Sequence, residues 1–219
     1  MKEIKILLVI IVILVLIFAF RVINPFKKNA TEQLNTTSQI SKTEPMNMAD
    51  IKALIEKGLN QNNLYAKYVE PLITVEEWIK DNITVCKTID ENHNYIIWSN
   101  ENTGEKMLAD VNKKIILTNE KVSSTEIGYI ERIKHILEIL EKFEFLRYEK
   151  YNDKECVVIE MDYGTDYEVY KEQSFLDLET GLLLKTYLNG ELLVEYDVKL
   201  NSVTDNDVKK IDTTGYNVI

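Results

Sequence analysis

Phe175–Leu200 reads FLDLETGLLLKTYLNGELLVEYDVKL, and the architecture can be worked out from it. Two turn signals punctuate it, Glu179-Thr180-Gly181 and Asn189-Gly190, where glycine supplies the positive φ of tight hairpins. After the second turn, Val194, Tyr196, Val198 and Leu200 alternate with Glu195, Asp197 and Lys199. That period of two is a strand with one apolar and one wet face, so the stretch is an antiparallel meander. Something must cover its apolar face.

The same pattern extends upstream. In KECVVIEMDYG, Val157, Ile159, Met161 and Tyr163 share a face, and DYEVYKEQSFLDL follows as a further strand. Earlier come LYAKYVEPL, ITVEEWI, NITVCKTI, NYIIWSN, KMLADV and KIILT, separated by turn chemistry such as NENTGE and VNKK. Within them Ile83, Val85 and Ile89 oppose Thr84, Cys86 and Thr88. Two segments carry helical spacing instead. ADIKALIEKGLNQ places Ile51, Leu54, Ile55 and Leu59 on one face. From Ser123 to about Arg147, a capping-box pair, Ser123 and Glu126, precedes a stripe of Ile127, Ile130, Ile133, Leu137, Leu140 and Phe143.

Strands, helix, strands with hairpin connections imply an α+β domain. A long antiparallel sheet with one apolar face must curl, and two amphipathic helices are too few to cover it, so an apolar cavity is expected. Strand parity then nominates its lining: Ile96 and Trp98; Val157, Ile159 and Met161; Val194, Tyr196 and Val198. For each, ordinary core packing is the competing reading. Trp98 and Met161 are the sharper candidates, because Trp contributes large area and Met adapts to irregular ligands.

The amino terminus is of another kind. Ile6 to Phe20 is an uncharged apolar run, and Ile4, Val22 and Ile23 extend it toward the roughly 20 residues that span a hydrocarbon core. It ends in FAFRVINPF, without a small-residue cleavage site or a following cysteine for lipidation, so residues 1–23 are read as a transmembrane signal anchor. Residues 24–46, rich in Asn, Thr, Ser and Gln, read as a flexible linker, and 47–219 as the folded domain. Basic residues flank both ends of the run, so the positive-inside rule barely sets its direction. The domain is placed on the extracytoplasmic side of the cell membrane by the usual order of export.

Residues 1–28 hold five Lys and Arg against one acidic residue, which leaves 21 basic and 35 acidic residues beyond, a net charge of −14. Such a surface repels phosphate backbones and anionic headgroups, and nucleic acid is excluded as a partner. Cys86 and Cys156 lie in separate strands without CxxC-type spacing; buried free thiols are the plain reading, and export would permit a disulfide. His93 and His135 have no converging partners in sequence, and no phosphate loop or nucleophile motif occurs. No catalytic residue, metal or cofactor is expected, and an enzyme is not; a small hydrolase is kept only as a third reading.

The order of elements, with YEKYNDKECVVIEM, the D-x-E-T-G-L hairpin at Asp177–Leu182, the EY-x-x-x-N pattern at Glu195–Asn201 and the closing TDNDVKKIDTTGYNV, resembles the LolA-like lipoprotein-carrier family over roughly Asn47 to Val218. The resemblance implies a curved, incomplete antiparallel β-barrel, a half-barrel whose concave face is lidded by helices and holds an acyl chain or the lipidated part of a lipoprotein. A retained anchor departs from a soluble shuttle. The second reading is a regulatory or structural module of the cell envelope, related to stress or sporulation, whose cavity is filled by its own side chains and whose surface binds an envelope protein.

Overall fold

The computed structural model describes residues 44–119, 122, 128–165 and 168–219. The chain divides into two units, 1–38 and 39–219, and every described residue falls in the second. The expected membrane anchor and most of the linker lie outside the described residues. So do Ser123, Glu126 and Ile127 of the expected capping box and stripe. Among the described residues no helix is long and apolar enough to cross a membrane.

A helix, α1 (Met48–Leu59), opens the domain, with the Asn47 side chain accepting from the Asp50 N–H at 2.9 Å as its cap. Six strands follow: β1 (Asn63–Glu70), β2 (Ile73–Lys80), β3 (Ile83–Ile89), β4 (Asn94–Asn100), β5 (Glu105–Asp110) and β6 (Ile115–Thr118). A second helix, α2 (Tyr129–Glu138), and a 3-10 turn (Leu140–Lys142) interrupt them. Then come β7 (Glu144–Tyr151), β8 (Lys154–Thr165), β9 (Glu168–Asp177), β10 (Leu183–Leu188), β11 (Glu191–Leu200) and a short β12 (Asn217–Val218).

All twelve strands join one sheet in the order β12-β6-β5-β4-β3-β2-β1-β11-β10-β9-β8-β7. This corrects the expected half-barrel. The sheet is open, ending on β7 at one side and β12 at the other, and it is mixed, because β12 pairs with β6 in parallel while every other pair is antiparallel. The expectation of curling assumed that only one face needs cover. In fact both faces do, and both are covered.

The register identifies the faces. Leu64, Ala66 and Tyr68 of β1 stand beside Leu200, Val198 and Tyr196 of β11 and beside Ile79, Glu77 and Val75 of β2. Val157 and Ile159 of β8 stand beside Leu176 and Ser174 of β9 on the same side. The apolar residues among these share one core with Ile51, Leu54 and Ile55 of α1 and Tyr129, Ile133 and Ile136 of α2. On the opposite face, Val85, Trp98, Met107, Ala109 and Ile116 pack under Val203 and Val208 of the carboxy-terminal tail, with Ile211 and Tyr216 at the margin.

The second expected helix is shorter than its stripe. It ends at Glu138, and Phe143 closes the 3-10 turn with φ −89° and ψ 150°, already extended backbone. EFLRYEKY then pairs with β8 as an edge strand, with Phe145 and Tyr148 entering the helix-covered core and Leu146 bulged out of register. Ladder hydrogen bonds to β8 satisfy that backbone, which outweighs the helical spacing of its apolar residues.

Candidate functional site

The D-x-E-T-G-L hairpin is a docking point. Gly181 in the β9–β10 turn has φ +76°, and a Cβ there would run into the Leu54 carbonyl of α1; a Cβ on Gly58 would run into the Gly181 carbonyl. Two glycines thus let a helix and a turn meet backbone to backbone. Asp177 holds the turn: its carboxylate accepts from the Glu179 N–H at 3.0 Å, the Thr180 hydroxyl at 2.7 Å and Lys154 Nζ at 3.1 Å. Lys57 of α1 reaches the Glu179 carbonyl. The hairpin pattern is therefore explained by local packing.

The second helix is anchored from the sheet. Glu77 of β2, 4% exposed, accepts from the Ile130 N–H at 3.1 Å and so caps the first turn of α2 from 53 residues away. A Cβ at Gly128 would come within 2.8 Å of the Glu77 carboxylate and push it aside, so glycine here leaves the contact undisturbed. Burial pushes the Glu77 carboxyl up to about 7, against the pull of the Ile130 and Tyr129 N–H donors. Cys86 stands opposite Glu77 in the register, and burial raises its thiol to about 12. Both line a cavity of about 310 Å³ with Ile97, Gly128 and Ile130. A thiol so raised beside a carboxylate is not a ready nucleophile.

Along its other side α2 joins its own Tyr129 to two tyrosines of the sheet, Tyr68 and Tyr196. Tyr129 donates to the Leu183 carbonyl at 2.9 Å, and the Tyr196 ring lies 5.3 Å from Tyr129 and 5.4 Å from Tyr68 in edge contacts. The Arg132 guanidinium lies 4.6 Å over the Tyr68 ring, its Nε donates to the Tyr68 hydroxyl at 3.2 Å, and it pairs with Glu70 at the end of β1. Burial raises the Tyr68 hydroxyl to about 12, partly offset by Arg132. Beside this cluster runs a groove of about 640 Å³ lined by Arg132, His135, Glu172, Leu193 and Tyr196 among others. On the other side of the sheet a groove of about 550 Å³ is lined by Lys67, Val69, Tyr151, Leu192, Leu193 and Tyr196.

The eight nominated lining residues divide. Val157, Ile159, Met161, Val194, Tyr196 and Val198 belong to the helix-covered core. Ile96 and Trp98 belong to the other face, beneath the tail, where Trp98 Nε1 donates to the Val208 carbonyl at 3.0 Å. One shared cavity cannot be lined by both sets. Cys86 and Cys156 are both free and buried, in cores on opposite faces. His93 sits in the β3–β4 turn with Nδ1 2.9 Å from Asp90 and its ring stacked on Tyr95 at 5.3 Å. Among the described residues no group of three or more His, Cys, Asp or Glu could hold a metal ion.

Sequence reasoning missed Glu77, Arg132 and the tail. Glu77 sits at an ordinary alternating position in ITVEEWI, and its target lies far along the chain. The tail spaces its apolar residues at 203, 208, 211 and 216, matching neither a helix nor a strand.

No family model matches the chain, and no curated protein matches it in sequence. Among solved structures it is similar to an uncharacterized conserved protein from Thermus thermophilus, with 8% identity and a TM-score of 0.50 over 78% of this chain and 97% of that one. At that identity the likeness is one of fold.

Proposed function

We propose that this chain is a noncatalytic interaction module of the bacterial cell envelope, tethered by its amino-terminal apolar run and filled by its own side chains. One observation carries the reading: each apolar region nominated as a ligand surface is occupied by the chain itself. Val157, Ile159 and Val194 are 0–1% exposed beneath α1 and α2, and Trp98 is 3% exposed beneath the tail. An acyl chain would have to displace Ile51, Ile55, Tyr129 and Ile133, each itself fully buried. Losing that burial would offset much of the roughly 0.8 kcal/mol per CH₂ that the acyl chain would gain.

The acyl-carrier reading has a supporting observation of its own, the 640 Å³ groove beside α2, but Glu131, Arg132, Lys134, His135, Glu138 and Glu172 line it along with its few apolar residues. Pockets for apolar ligands carry few polar groups. Native mass spectrometry of the full chain released from detergent micelles, with solvent extraction for acyl species, separates the readings. The expected result is the bare chain mass, with no uptake of added palmitate. A one-to-one acyl adduct would overturn the self-filled reading and restore the carrier.

A further inference from the structure

The sheet parts between two of its inner strands. β1 and β11 pair from Leu64–Leu200 to Tyr68–Tyr196 and no further. Beyond that point β1 continues to Glu70 paired only with β2, and the Glu191–Glu195 half of β11 pairs only with β10. Among the described residues no strand pairs with Glu191–Glu195 on the side away from β10. Two features hold the opening. Leu193 is bulged, since Thr186 stands opposite Val194 while Tyr187 stands opposite Leu192, and a bulge bends its strand. Arg132 pairs with Glu70 and draws the end of β1 toward α2.

The lips of this seam are apolar and open to solvent. Val69 is 60% exposed, Leu72 75%, Leu192 52% and Leu193 43%. Leu193 and Tyr196 line both the groove on the helix side and the groove on the opposite side, so the two grooves flank the same opening. The outer edge of the sheet is built differently. β7 reads EFLRYEKY, with Glu144, Arg147, Glu149 and Lys150 along it and a bulge at Leu146, the charged and irregular edge that discourages strand addition.

We infer that the seam between β1 and β11 is a docking slot for an extended segment of a partner protein, which adds as a strand to the free edge of Glu191–Glu195. An unpaired backbone edge calls for a polypeptide, because its N–H and C=O groups are matched only by another main chain. On the face away from α2, alternate apolar side chains of that segment meet Val69 and Leu192, and its flank meets the bulged Leu193. Basic side chains between them, on the α2 side, suit Glu191 and the neighbouring Glu172, and the net −14 of the chain beyond residue 28. The inference rests on the proposed interaction-module reading and names the partner's chemistry.

The test pans a phage-displayed library of short peptides, with Val, Ile, Leu, Phe or Tyr at alternate positions, against the full chain in detergent micelles. Selected peptides are expected to bind, to slow amide exchange in Glu191–Glu195, and to weaken at least about tenfold on Leu193→Asp, or on Val69→Asp at the other lip. Methylating alternate peptide nitrogens removes backbone donors and is expected to cost as much. The slot is overturned if no binder emerges, if binding survives these changes, or if exchange in Glu191–Glu195 is unaltered. It is also overturned if the chain alone dimerises with protection there, for then a second copy fills the seam. Palmitate uptake on the same preparation keeps the two readings apart: uptake with intact peptide binding removes the self-filled interior, and neither uptake nor binding removes only the slot.

Discussion

The two faces of this sheet are covered by different means. On one, α1 and α2 lay regular apolar stripes across β1, β8 and β11. On the other, a chain segment without regular structure crosses β2 to β6, held by single residues: Val203, Val208, the Trp98–Val208 hydrogen bond, and Asn63, whose side chain exchanges two hydrogen bonds with the Val203 backbone at 2.9 and 3.0 Å. A helix brings its own backbone hydrogen bonds to a cover. A tail must find partners for its backbone on the surface it covers. Cover on the tail side is therefore concentrated in a few positions, whereas on the helix side it is shared.

Ending the chain after Asn201 challenges that difference most severely. It removes the buried Val203 and Val208 with Ile211 and Tyr216 and exposes Trp98, a loss on the order of 5 kcal/mol at about 1.5 to 3 kcal/mol per buried side chain. Urea unfolding should detect it as a marked fall in midpoint; an unchanged midpoint would mean that the tail covers nothing. Gly181→Ala attacks the helix side at its backbone contact with α1. Positive φ and the clash with Leu54 together should cost about 3 kcal/mol, read from the same titration.

Glu77→Gln probes the helix side through pH. The folded carboxyl titrates near 7, above its ordinary value near 4.5, so the folded state binds the proton more tightly than the unfolded chain. The contribution to stability is therefore fully present below about 4.5 and lost as pH rises through 7, on the order of 3 kcal/mol. Glu172, also raised by burial, slopes the same way. Stability measured at pH 5 and pH 8 should fall markedly for the natural chain and much less for the variant; equal slopes would show that Glu77 is not the titrating cap. The smallest expected effect is Asn63→Ala, at about 1 to 2 kcal/mol for two lost backbone partners, seen as faster amide exchange at Val203.

Much of the sheet was legible because its signals are local. Alternation and turn residues located β1 to β6 and β8 to β11, and Asn189-Gly190 marked its hairpin, both residues having positive φ. The apolar stripe of ADIKALIEKGLNQ located α1. What was not legible depends on distant partners. Phe143 continues a helical stripe in sequence, and only pairing with β8 makes the segment that follows it a strand. β12 adds in parallel because the tail has crossed the sheet to reach β6. Parity correctly paired Ile96 with Trp98, and Val157 with Ile159 and Met161, but alternation cannot say which face of one strand continues which face of a strand far away in the sheet. That ambiguity merged two cores into one expected cavity.

A self-filled interior requires that both covers be fixed parts of the core, so that neither α2 nor the tail lifts for an apolar ligand. Amide hydrogen exchange of the full chain, followed at Tyr129–Glu138 and at residues 203–216 with and without palmitate, measures this at the covers themselves. Fixed covers give the same protection in both segments whether or not palmitate is present. A change in exchange confined to Tyr129–Glu138 on adding palmitate would contradict them, and would make α2 the lid of a carrier.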